Sequence, residues 1–157
     1  MEVKSRNTSI LEDVNRLYLG SLNILSGIDD DGDLLISTYL SLSNPVRIMV
    51  SSDEFGFSIR TRYGVGSNIG KSNLIEAVND INKNLREGSF VVDGDGELIF
   101  KNFIPHVDGI SAEDIASSIK ISVSTFLTHV DDVMEALEPF IGTEGTSEFE
   151  IIDAEVN

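Results

Sequence analysis

Residues 73–137 place a helix, a tight hairpin and a long helix in immediate succession. The hairpin is written as Val92-Asp93-Gly94-Asp95-Gly96 between Phe90-Val91 and Leu98-Ile99-Phe100. Two apolar runs joined by Asp-Gly steps pair as antiparallel strands, and Asp-Gly favours a type I′ turn, whose two central residues need positive φ. The predicted strands are Phe90–Asp93 and Glu97–Lys101. An isolated hairpin is marginal in water, so this one needs a sheet to join and helices to cover it.

Both helices are legible from spacing. Leu74, Val78, Ile81 and Leu85 fall on one face of the first, which is expected to be capped at Ser72 or Asn73 and to stop at Gly88 as a left-handed terminator. The second opens at Ser111 as N-cap, with Glu113 and Asp114 in its electropositive first turn. Its stripe is Ile115, Ile119, Val123, Phe126, Val130, Val133 and Leu137. Val123-Ser124-Thr125 is a candidate bend, and Pro139 is expected to end the helix.

Upstream, Ser9 and Glu12 match a capping box, and Leu11, Val14 and Leu17 share a face, which predicts a short helix starting near Ser9. Residues 1–8 are expected to be flexible. Asp29-Asp30-Asp31-Gly32-Asp33 is a turn, and three strands follow: Leu34–Leu42, Val46–Val50 and Phe55–Tyr63. The last alternates, with Phe55, Phe57, Ile59, Thr61 and Tyr63 on one side and Gly56, Ser58, Arg60 and Arg62 on the other. That is the signature of an antiparallel sheet with one buried and one open face. The fold class is α+β, an antiparallel sheet with helices packed on it in the order α-β-β-β-α-β-β-α. One domain is expected over 9–141, followed by an acidic tail, 142–157, that is either disordered or an added edge strand. No internal repeat is evident.

Composition narrows the function. The chain has 27 acidic and 11 basic residues, a formal net charge of −16, which makes nucleic acid and anionic membranes poor partners. Its 41% hydrophobic content argues against wholesale disorder. With no cysteine there is no disulfide framework and no thiolate chemistry. No apolar run approaches the ~20 residues that span a bilayer, and no signal peptide is visible at Met1–Ser5. A cytoplasmic protein is expected.

Motifs that carry chemistry fail on inspection. Gly64-Val65-Gly66-Ser67-Asn68-Ile69-Gly70-Lys71-Ser72 lies between a strand and a helix as a phosphate loop does. A phosphate loop ending in Gly70-Lys71-Ser72 needs glycine where Val65 stands, and its strand belongs in a parallel unit. Neither Gly32 nor Gly96 fits as the sixth residue of a calcium loop, because the first position would be Gly27 or Val91. Weak cation binding by Asp29, Asp30, Asp31 and Asp33 competes with a solvated turn. His106 and His129 have no second ligand at metal spacing, so a surface or capping role is their default, and no serine sits in a nucleophile elbow. No catalytic residue, cofactor site or metal site is assigned, and an enzyme is not expected.

The run Ala77-Val78-Asn79-Asp80-Ile81-Asn82, then Phe90-Val91-Val92-Asp93-Gly94-Asp95-Gly96-Glu97-Leu98, then Gly109-Ile110-Ser111 opening a helix, resembles the YbjN family. The resemblance implies a fold like that of type III secretion chaperones, no enzyme activity, and a small cytosolic protein with a chaperone-like or regulatory role. The expected function is therefore a non-enzymatic protein-binding module, with a homodimer also expected. The alternative is a small-ligand or nucleotide-binding protein using the Gly64–Ser72 loop. Candidate partner contacts are Phe55, Phe57, Ile59 and Tyr63, for which core burial is the competing fate, and Arg60 and Arg62. Arg60 and Arg62, with Arg47 beside them, either pair with acids across strands or receive an acidic or C-terminal group of a partner.

Overall fold

The computed structural model describes residues 2–20, 24–39, 42, 44–66 and 69–156, the stretch 141–156 by its backbone alone. Its elements are α1 (Val3–Tyr18), β1 (Ile24–Ile28), β2 (Leu34–Thr38), β3 (Val46–Ser52), β4 (Gly56–Tyr63), α2 (Lys71–Asn82), β5 (Ser89–Val92), β6 (Leu98–Pro105) and α3 (Ala112–Val156). The six strands form one antiparallel sheet in the order β1-β2-β3-β4-β6-β5. The α+β class holds, with one strand more than the sequence suggested.

That strand, β1, lies before the Asp29–Asp33 turn. The turn is a hairpin: the Asp29 amide donates to the Asp33 carbonyl and the Gly32 amide to the Asp29 carbonyl. The hairpin between β5 and β6 repeats this pattern, Asp93 to Glu97 and Gly96 to Asp93. In both, the carboxylate of the first aspartate accepts two amides further on: Asp31 and Asp33 for Asp29, and Asp95 and Glu97 for Asp93. In both, one glycine closes the turn in the left-handed region, Gly32 at φ +84° and Gly96 at +82°. Gly94 is not among the glycines at positive φ, so the expected type I′ turn is replaced by a turn completed by one left-handed glycine. The spacing Asp-x-Asp-Gly-acid is thus a local repeat, in a sequence where no internal repeat was evident.

One face of the sheet carries the core. Leu34, Ile36, Val46, Ile48, Val50, Phe57, Ile59 and Tyr63 are buried, as are Phe90, Leu98 and Phe100. Three helices cover them: α1 packs over β1–β3, α3 over β4 and β6, and α2 over β5 beside α3. Phe126 of α3 seats on the aromatic side chains beneath, with ring centroids 6.1 Å from Tyr63 and 6.2 Å from Phe90.

The helix boundaries depart from expectation in three places. First, α1 begins at Val3, and Ser9 is exposed inside it rather than capping it. Its buried face is Asn7, Leu11 and Val14, while Leu17 is exposed. The Asn7 amide donates to the Asp53 carbonyl at 2.8 Å, and its oxygen lies 2.9 Å from His106 Nδ1. His106 is therefore a partly buried tie between α1 and the end of β6 rather than a freely solvated residue. Second, α2 starts at Lys71, with Gly70 rather than Ser72 or Asn73 at its N-cap and no side-chain cap, and ends at Asn82, before Gly88. Asn82 spans the gap to β5 by both donating to the Phe90 carbonyl and accepting its amide, each at 2.8 Å. Gly88, at φ +75°, packs so closely that a Cβ there would lie 2.5 Å from Asn102 Oδ1 and from Phe100.

Third, α3 is continuous through Pro139 to Val156, where a stop at Pro139 and a disordered or strand-forming tail were expected. Proline forfeits the bond to the carbonyl four residues back and crowds it. Residue 139 lies beyond Leu137, the last buried side chain of the described stripe, so no core packing depends on a straight axis there. Val123-Ser124-Thr125 does not interrupt the helix; the hydroxyls of Thr125 and Thr128 bond back to the carbonyls of Ile121 and Ser124. The Ser111 cap is as predicted. The Asp114 amide donates to Ser111 Oγ and the Ser111 amide to Asp114 Oδ2, which holds the Asp114 carboxyl below its ordinary range.

Candidate functional site on the uncovered sheet face

Strand alternation sends every second side chain away from the helices. Register then arranges these outward residues in rows. One row reads Leu25, Ser37, Arg47, Arg62, Ile99 and Val91 across the six strands. The next reads Gly27, Leu35, Met49, Arg60, Lys101 and Ser89. No helix covers these rows among the described residues. Leu25 is 78% exposed and Leu35 43%, and with Met49, Arg47, Arg60 and Arg62 they line a shallow concavity of about 600 Å³.

The electrostatics of this face are unusual. Arg47 stands directly opposite Arg62, and Arg60 directly opposite Lys101. Facing residues of antiparallel strands have Cβ atoms about 4.5–5.5 Å apart, so like charges there repel. Two acids of the β5–β6 hairpin answer one pair: Arg47 is bonded to Glu97, and Arg62 to Asp93 at 3.0 Å. Among the described residues neither Arg60 nor Lys101 is in an ion pair. At the margin of the face Asp33 has its carboxyl raised, first by burial and then by Asp29 beside it, with Ser51 and Arg60 opposing.

The six predicted contact residues separate. Phe57 and Ile59 are fully buried and Tyr63 nearly so, so they are core and no surface for a partner. Phe55 precedes β4 and is 69% exposed, away from them. Arg60 and Arg62 lie on the open face and are joined there by Arg47, Lys101, Leu25, Leu35 and Met49. The sequence missed the apolar part because Leu35 lay in a run read as strand without a stated face, and Leu25 in a strand not predicted.

Other candidates offer less. Positions 67 and 68 of the Gly64–Ser72 loop lie outside the described residues. The flanking strand β4 is antiparallel to both neighbours, and the Gly64–Gly66 stretch lies beside Asp95 and Glu97, whose charges oppose a phosphate. Asp29, Asp31 and Asp33 converge, but one oxygen of the Asp29 carboxylate already accepts two turn amides, and exposed acidic turns of this kind are common without an ion. His129 lies 3.4 Å from Asp132 one turn along α3. No helix among the described residues is long and apolar enough to cross a membrane.

Comparison with curated proteins and with solved structures found no match. A family model does match: YbjN, described as "Putative bacterial sensory transduction regulator", over residues 16–135. That stretch runs from the last turn of α1 to the last turns of α3 that pack on the core, and includes the whole sheet. The chain therefore belongs to the YbjN family.

Proposed function

We propose that the protein is a non-enzymatic regulatory module that works by binding another protein, and that its recognition surface is the uncovered sheet face. The observation that carries this reading is the exposure of Leu25 and Leu35 beside a cluster of basic residues, on a sheet whose other face is filled. Exposed apolar side chains gathered in a concavity and rimmed by charge are the ordinary chemistry of a protein contact. The family's description as a sensory transduction regulator is compatible with it. Supporting the absence of catalysis, His106 Nδ1 is held by Asn7 and one Asp29 carboxylate oxygen by its own turn, so both side chains already serve the fold. A chaperone-like role in the cytoplasm is the narrower form of the same reading.

The test is a site-specific photocrosslinker at Leu35, with one at Ser117 on the exposed side of α3 as control, in the host cell. Adducts of discrete mass from position 35 and none from 117 are expected. Adducts of equal pattern from both positions, or none from 35, would sink the proposal.

A further inference from the structure

We infer that the sheet face takes an acidic segment of the partner protein, whose carboxylates are held by Arg60 and Lys101, beside the already paired Arg47 and Arg62, and whose apolar side chains rest on Leu35 and Met49. This rests on the protein-binding reading above and names the chemistry of the partner. The chain has 27 acids to place and only 11 bases, yet four of those bases share one patch as two facing pairs. Directly opposed like charges destabilise a sheet, and an acid opposite a base would have relieved them at once. Glu97 and Asp93 relieve the Arg47–Arg62 pair from the hairpin side. Arg60 and Lys101 are left facing each other with no ion pair among the described residues, only Asp33 at the margin and Glu87 in the adjoining cavity offsetting them, and carboxylates brought by a partner add the counter-charge that a direct pair would give.

Arginine guanidinium groups bind carboxylates through paired hydrogen bonds, which adds geometry to charge. Leu35 and Met49 continue the row that holds Arg60 and Lys101, so apolar floor and cationic wall are contiguous. A segment that mixes carboxylates with apolar side chains satisfies both. A nucleic acid satisfies only the charge, and the remaining net negative charge of the chain repels so dense a polyanion.

The experiment uses the full chain, amide-resolved NMR and a short synthetic peptide of alternating glutamate and leucine, with glutamine–leucine and lysine–leucine counterparts. The glutamate peptide is expected to shift signals of residues 35, 47–49, 60–62 and 101. Its affinity should fall about tenfold or more in Arg60→Ser with Lys101→Ser, and fall again as salt is raised. Lys101→Glu places an acid opposite Arg60, so it should raise Tm by about 1–3 °C while abolishing peptide binding, which separates lost recognition from lost folding. Equal binding of the glutamine peptide at this face would overturn the acidic partner while leaving the protein-binding reading intact. No binding of the glutamate peptide, its displacement by an oligonucleotide, or shifts that depend on protein concentration alone would also overturn it, the last assigning the face to a second copy.

Discussion

Asp33 places an ionisable side chain where both burial and neighbouring acids work against its charge. Burial and the adjacent Asp29 both raise its carboxyl pKa above the ordinary 3.8. An acid whose folded pKa is raised stabilises the fold below its unfolded pKa and loses that contribution as pH rises through the folded value. At neutral pH the ionised group is therefore a small net cost. Asp33→Asn is expected to melt slightly higher than the parent at pH 7, with the difference shrinking toward pH 3.8. A pH series of thermal melts checks this, and a difference that grows on acidification would contradict it. Residues of this kind are hard to read from sequence. Asp33 is one acid in a run of four, and nothing in the run says which is half-buried. Asn7 is harder still, because a polar side chain at a buried helical position looks like solvent-facing helix until its partners, Asp53 and His106, are seen 46 and 99 residues away.

At the level of elements, local rules did well where the code was local. The Ser111 cap and the β5–β6 pairing follow from spacing and are found, as are the stripe of α3, save that Ser122 is buried and Val123 only partly so, and the alternation of β4 from Phe57 to Tyr63, with Phe55 exposed outside the strand. The missing β1 was legible too, since Asp29–Asp33 repeats the spacing of Asp93–Glu97 and implies a strand on its near side as well as its far side. Its own signal is faint, since Ile24-Leu25-Ser26-Gly27-Ile28 holds a glycine and alternates weakly. Helix ends were the poorest guide, for their reasons are tertiary. The end of α2 is fixed by Asn82, whose side chain serves both polar groups of the buried Phe90 backbone. Asn82→Ala leaves those groups without their partner and is expected to destabilise by about 1–3 kcal/mol. Chemical denaturation measures it; a loss under a few tenths of a kcal/mol would mean that water replaces the amide.

For the molecule as a whole, a single core runs under all three helices, with Phe126 fully buried against Tyr63 and Phe90. Phe126→Ala should cost about 3–5 kcal/mol, a large share of a typical domain's total stability. The loss should appear as one shifted transition rather than two, because α1, α2 and α3 share the same core. Separate transitions in calorimetry would show that the α2–β5–β6 portion folds independently. The buried face was readable from alternation alone; the open face was not, because alternation says which residues turn outward but not which strands stand side by side. Arg47, Arg60, Arg62 and Lys101 come from three strands, and only the register makes them one patch. The outermost strands β1 and β5 each present a side with no strand neighbour among the described residues, although Asn82 takes the Phe90 amide and carbonyl of β5. Such rims ordinarily invite another chain to add a strand. Here the excess of carboxylates surrounds them with a repulsion whose reach is the Debye length, so the ionic medium governs how closely copies of the molecule approach one another.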